Sequence, residues 1–210
     1  MDQQIPYWIL FVVAIPSGLL AWLSMYWIRR RADHWGLVDK PNNRKVHTEA
    51  MPMGGGLGIW LAVMVTFSAA TVILLANDLF AVWIPASMAP YLDGFREQLG
   101  SLWVLLVSGT ALMVLGLIDD IRGLSWKLRL TVQCLVALAC VMSQQWYLTA
   151  FIPFKVITIL GSVFWIVMLV NSFNMLDNMD AASAGVAVIS SLMLVLYVIC
   201  LLYTSDAADE

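Results

Sequence analysis

The chain has 210 residues, of which 61% are hydrophobic and 12% charged, and its mean hydropathy is +0.85. A water-soluble domain of this size needs far more charge to cover its surface, so a soluble globule is excluded. The net charge of −3 provides no basic field, which excludes nucleic acid as the main partner.

A helix needs about 20 apolar residues to cross the hydrocarbon core of a bilayer. Six runs reach or approach that length: Tyr7 to Ile28, Leu57 to Ala76, Ser101 to Ile118, Leu130 to about Tyr147, Val156 to Val170, and Ala184 to Tyr203. The fifth is short, but it can borrow the uncharged polar residues that follow it. Open strands cannot satisfy their backbone in lipid, so all six read as helices. The fold class is therefore all-α, a polytopic transmembrane helix bundle forming a single integral membrane domain over residues 1–204. A further stretch, Leu79 to Leu92, carries Pro85 and Pro90 and reads as interfacial or re-entrant.

Charge sets the orientation. Asp2 and no basic residue precede the first run, while Arg29, Arg30 and Arg31 follow it, the reverse of a secretory signal. Nine Lys/Arg fall in the loops after the first and third runs, against only Arg96 and Lys155 on the other side. By the positive-inside bias the amino terminus is outside, and the loops after runs one, three and five are cytoplasmic. Cys134, Cys140 and Cys200 lie inside apolar runs with no metal-ligand spacing, and read as small buried hydrophobes.

Three polar segments fall on that predicted face. The first holds Asn42, Arg44, Lys45 and His47, followed by Pro52 and Gly54-Gly55-Gly56. Arg and Lys suit phosphate oxygens, and a glycine run opening a helix can turn backbone N–H groups toward an anion. Topology signals, lipid contacts and close helix packing explain the same residues equally well. The second is Asp119-Asp120, closing the third run. Two carboxylates at a helix carboxyl end oppose the macrodipole and call for a cation or a basic partner. Mg²⁺ would serve; so would pairing with Arg122 or Lys127. The third, Asn171 to Asp180, places Asn171, Asn174, Asp177 and Asp180 on one face if it is helical, a costly face beside a bilayer. An ordinary polar loop with an Asx turn is the alternative.

Taken in order, Asp39-x-Pro-Asn-x-Arg-Lys-x-His47, Pro52-x-Gly-Gly, Gly116-x-x-Asp-Asp120 and Asn171-x-x-Asn-x-x-Asp-x-x-Asp180 resemble the polyprenyl-phosphate N-acetylhexosamine-1-phosphate transferases. The likeness runs from about Gly36 to Gly185, and its first motif is closer to the GlcNAc branch. It implies a cytoplasmic UDP-N-acetylhexosamine and a polyprenyl (undecaprenyl) phosphate as substrates. It also implies release of UMP, an Mg²⁺ requirement with Mn²⁺ as the alternative ion, and a bacterial inner-membrane location. Asp119 and Asp120 match the paired acidic motif, with Asp119 expected to orient or deprotonate the acceptor. Asp120, Asp177 and Asp180 are the expected metal ligands. Asn42, Arg44, Lys45, His47, Lys127, Asn171 and Asn174 are expected to bind substrate or phosphate. A homodimer is an open assembly.

Two departures stand out. Family members commonly read Asp-Gly-x-Asp-Gly where this chain has Asp177-Asn178-Met179-Asp180-Ala181. Relatives also carry more spans than six, with a late cytoplasmic loop bearing another metal-ligating Asp and a His/basic cluster. The tail 205–210 resembles no part of the family, so the chain is expected to be a carboxyl-terminally truncated member. A secondary transporter and an inactive membrane scaffold are the rival readings. The acids at span ends and the lack of an inverted repeat count against the transporter.

Overall fold

The computed structural model describes residues 8–39, 51–76, 89–148, 153–177 and 181–206. Within them the chain forms six helices: α1 (Trp8–Trp35), α2 (Gly55–Leu75), α3 (Ala89–Arg122), α4 (Trp126–Gln144), α5 (Lys155–Leu176) and α6 (Ala182–Asp206). A two-residue antiparallel pair, β1 (Val38–Asp39) and β2 (Met51–Pro52), lies between α1 and α2. The architecture is an all-helical membrane bundle. Five helices, α2 to α6, are long and apolar enough to cross a bilayer. The first expected span falls in α1, which is not among those five and runs past its apolar stretch through Arg29–Arg31 to Trp35. Tyr7, the start of that expected span, lies outside the described residues. The helices form two compact units, Met1–Trp146 and Tyr147–Glu210.

Two boundaries differ from expectation. The end of the proline-bearing stretch, Ala89 to Leu92, opens α3 instead of lying apart from it. Pro90 falls in the first turn, where its missing N–H would have had no intrahelical partner in any case. The residues before Ala89 in that stretch lie outside the described set. The fourth helix stops at Gln144 because Gln145 turns left-handed, with φ 54°. The fifth does take in the polar residues after Val170, ending at Leu176.

In the first unit α1 packs on α2, α2 on α3 and α3 on α4. The buried positions mix small and polar side chains with a few large apolar ones such as Ile28, while many large apolar side chains face outward, as expected where lipid replaces water. Ser24, Ile28 and Ala32 recur every fourth residue along α1 and are buried, with Ser24 and Ile28 against Gly58 of α2. A Cβ on Gly58 would meet the Met25 Cα and backbone N at 3.4 Å, so the two backbones nearly touch. The Ser24 hydroxyl lies 3.0 Å from the Gly58 carbonyl oxygen, and also 2.7 Å from that of Leu20 and 3.0 Å from that of Ala21. Between α2 and α3, Trp60 Nε1 donates to Thr110 Oγ1 at 2.9 Å, and that hydroxyl donates to Leu106 O at 2.7 Å.

α1 ends in a glycine turn. Gly36 has φ 69°, its N–H donates to Asp33 O, and the Leu37 N–H donates to Ala32 O at 2.9 Å. This pairing satisfies carbonyls that a helix end leaves open. Leu37 is buried, and its carbonyl accepts from Met53 N–H at 2.7 Å beside the β1–β2 pair. Residues 37–39 and 51–53 are thereby tied together.

In the second unit Ser162 Oγ accepts from Leu148 N–H and donates to Thr158 O, each at 2.7 Å, and both side chains are buried. Along α6 the consecutive residues Leu192 to Val198 are all exposed, giving a helix apolar on every side.

The Gly58 contact makes a size threshold. Gly58→Ala should change stability by less than about 0.5 kcal/mol, whereas Gly58→Leu should destabilise by about 1–3 kcal/mol by forcing α1 off α2. Reversible unfolding in mixed micelles reads the difference.

Candidate active site

The turn between α3 and α4 is built around Asp119. The helix ends at Arg122, and Gly123, at φ 63°, lets the chain reverse while its N–H donates to Asp119 O at 2.8 Å. The Leu124 N–H donates to Asp119 Oδ1 at 2.8 Å, and Arg129 Nη1 donates to Asp119 Oδ2 at 2.8 Å. Ser125 then caps α4, its side chain accepting from the Leu128 N–H at 3.4 Å. One residue thus supplies three acceptors to the turn. The electrostatic cost of an acid at a helix carboxyl end is offset by a guanidinium and a backbone N–H.

This resolves part of the sequence reading and corrects another. The alternative to a cation at the acidic pair was pairing with Arg122 or Lys127; Asp119 pairs instead with Arg129, two residues beyond Lys127 in α4. Lys127 lies instead with its Nζ 5.7 Å from the Trp126 ring centroid. The sequence signal for Arg129 was weak, because a ten-residue separation across a turn matches no helical spacing. Asp120 is exposed at the end of α3.

In the second unit the helical reading of the asparagine segment holds as far as the described residues go. Asn171 and Asn174 lie in the last turns of α5, and Asp177 follows as the carboxyl cap with φ −68° and ψ −13°. Asn171 Nδ2 donates to Val167 O at 2.8 Å, and the exposed Asp177 accepts from Ser183 Oγ at 3.1 Å. Ser183 carried no motif signal and was missed. Asp180 lies outside the described residues, as do Asn42, Arg44, Lys45 and His47. Ala181 opens α6 at φ 59°, a left-handed conformation without a glycine to ease it. The glycine run before α2 divides in role. Gly54 requires its freedom, with φ 96° and the Leu37 side chain 3.4 Å from where a Cβ would stand, while Gly56 faces open space.

A hard cation such as Mg²⁺ keeps several waters and takes one or two carboxylates along with substrate phosphates. Among the described residues no group of three or more His, Cys, Asp or Glu could form a protein cage. Taken unit by unit, Asp120 in the first and Asp177 in the second are each an exposed carboxylate, the ligand type such an ion takes. Both carboxylate oxygens of Asp119 already have donors within its own turn.

A family model described as glycosyl transferase family 4 matches residues 102–208, a span holding both acidic segments. Curated proteins are similar over most of the chain. The decaprenyl-phosphate N-acetylglucosaminephosphotransferase of Mycolicibacterium smegmatis is 27% identical, over 92% of this chain and 46% of its own length. The undecaprenyl-phosphate alpha-N-acetylglucosaminyl 1-phosphate transferase of Thermotoga maritima is 29% identical, over 75% and 42%. The probable undecaprenyl-phosphate N-acetylglucosaminyl 1-phosphate transferase of Bacillus subtilis is 30% identical, over 77% and 40%. The chain spans less than half the length of these relatives. No solved structure matches it.

Two stability measurements test the local geometry. Asp119→Asn and Arg129→Gln should each destabilise by about 1–2 kcal/mol, with a coupling of about 1 kcal/mol in the double variant. Additive single effects would mean that the pair does not hold the turn. Ala181→Gly should stabilise by about 1 kcal/mol through relief of the left-handed strain, read by the same unfolding transition.

Proposed function

The chain belongs to glycosyl transferase family 4, and from that premise we propose that it transfers GlcNAc-1-phosphate from UDP-GlcNAc to a polyprenyl phosphate, releasing UMP. What carries the reading is the shared naming of relatives from distant bacteria as polyprenyl-phosphate GlcNAc-1-phosphate transferases. The acidic pair at the end of an apolar helix agrees with it. The protein would work in the bacterial inner membrane, amino terminus outside, with its reacting groups at the cytoplasmic boundary, in the first membrane step of an envelope polysaccharide.

In this reaction an oxygen of the acceptor phosphate attacks the β-phosphorus of the nucleotide sugar. The bond from that phosphorus to the bridging oxygen breaks, and UMP leaves with the electron pair. A phosphate monoester has a second pKa near about 6, so the acceptor is largely a dianion at neutral pH. Little proton removal is then needed. The larger part of the barrier is the repulsion between two anionic phosphates, which cationic groups reduce. Lys127, Arg44 and Lys45 are the side chains proposed for that work.

Mg²⁺, when bound, supplies charge neutralisation at the diphosphate. Asp120 would hold it, with Asp177 and Asp180 in metal or nucleotide binding and Asn42, His47, Asn171 and Asn174 positioning substrate. Asp119 is assigned to orienting the acceptor side of the site through the turn it anchors, with a direct proton-accepting role secondary to that.

The test is exchange of labelled UMP into UDP-GlcNAc by membranes containing the protein and a polyprenyl phosphate. Exchange should require Mg²⁺ and vanish with a chelator. Asp120→Asn should lower it by about a hundredfold or more. Near-normal exchange in that variant would remove Asp120 from the site, and absence of exchange with every UDP-N-acetylhexosamine would remove the reaction.

A further inference from the structure

We propose that the charged end of α1 is a binding site for an anionic phospholipid, whose phosphate is held by Arg30 and Arg31 and whose acyl chain lies along the apolar stripe below them. The inference is independent of the transfer reaction. It begins with what the helix does not use for packing. Ser24, Ile28 and Ala32 are buried, while Tyr26, Trp27, Arg29, Arg30 and Arg31 are all exposed.

Two guanidiniums are laid on aromatic rings one turn back. Arg30 Cζ is 4.3 Å from the Tyr26 ring centroid, and Arg31 Cζ is 4.7 Å from that of Trp27. Trp35 meets Trp27 edge to face at 5.3 Å, and Trp22 stacks with Tyr26 at 6.3 Å. A guanidinium held over a ring interacts through its face and keeps its in-plane N–H donors for other partners. Those donors match the oxygens of a phosphate.

The surroundings select a lipid over a soluble phosphate. Leu19, Leu23, Tyr26 and Arg30 follow one another at helical spacing and are all exposed, with Leu19 at 55% and Leu23 at 52%. The stripe passes from aliphatic to aromatic to cationic over about 16 Å of helix rise. That is the order of an acyl chain, a glycerol region and a phosphate. Three arginines face the single carboxylate of Asp33 on this turn, so the excess charge favours an anionic headgroup over a zwitterionic one.

The test places the protein in micelles containing phosphatidylglycerol and phosphatidylcholine, with retained lipid counted by native mass spectrometry. Phosphatidylglycerol should be retained preferentially. Arg30→Gln with Arg31→Gln should weaken that retention roughly fivefold for each guanidinium removed. Tyr26→Leu with Trp27→Leu keeps the stripe apolar and should also weaken it, while circular dichroism verifies that the helices persist. Equal retention of the two lipids, or undiminished preference in the arginine variant, overturns the proposal. So does displacement of phosphatidylglycerol by inorganic phosphate at equal concentration, which would make the site a general anion site. Preferential retention of a polyprenyl phosphate would overturn it in favour of the acceptor lipid.

Discussion

An unpaired peptide N–H or C=O in hydrocarbon costs several kcal/mol, about as much as a whole domain's margin of stability. That constraint shapes nearly everything here. It makes every crossing segment a helix, and it also absorbs the polar side chains inside those segments. Thr71 donates to Phe67 O, Thr131 to Lys127 O, Thr110 to Leu106 O and Ser162 to Thr158 O, each within its own helix. Hydroxyls spent on the local backbone do no chemistry. Groups able to meet a charged substrate are displaced to the helix ends, where α3 and α5 carry them.

At such an end the backbone imposes a second demand, because the last carbonyls of a helix lack partners and their dipole repels an anion. Asp119 meets both demands at once. Its carbonyl takes the Gly123 N–H, and its carboxylate draws the Arg129 guanidinium and the Leu124 N–H across the turn. The start of α4 is thereby fixed relative to the end of α3, and Asp120 is held on a rigid support. The two neighbouring acids look equivalent in sequence but are not equivalent in place: one is enclosed in the turn, the other exposed.

The helices were readable because the distinction between apolar and charged residues is nearly binary along this chain. Charge alone did not set the span limits: the third run was expected to end at Ile118, before Asp119, and the helix continues to Arg122, where Gly123 turns the chain. The expected limit also erred at Gln145, where nothing in an uncharged glutamine announces a left-handed turn. The acidic segments stood out as candidates because an acid beside a bilayer is costly, although a paired helix end and an ordinary polar loop were open explanations of the same residues. Their partners did not stand out. Arg129 and Ser183 reach Asp119 and Asp177 across turns whose path depends on a few backbone angles, and only coordinates supply those. The left-handed Ala181 stands at the position where family members commonly carry glycine, so a departure noticed as a letter became a strained dihedral angle.

The hydroxyl of Ser24 has a single hydrogen and three carbonyl oxygens within reach, two belonging to its own helix and one to its neighbour. The proton can rotate from one to another without any of the heavy atoms moving. Losing the bond to Gly58 therefore strands nothing, since the group falls back on Leu20 or Ala21. Such a contact adds little grip, but it lets two tightly apposed rods shift by fractions of an ångström with no polar atom left bare. The α1–α2 seam is accordingly a lubricated joint rather than a weld.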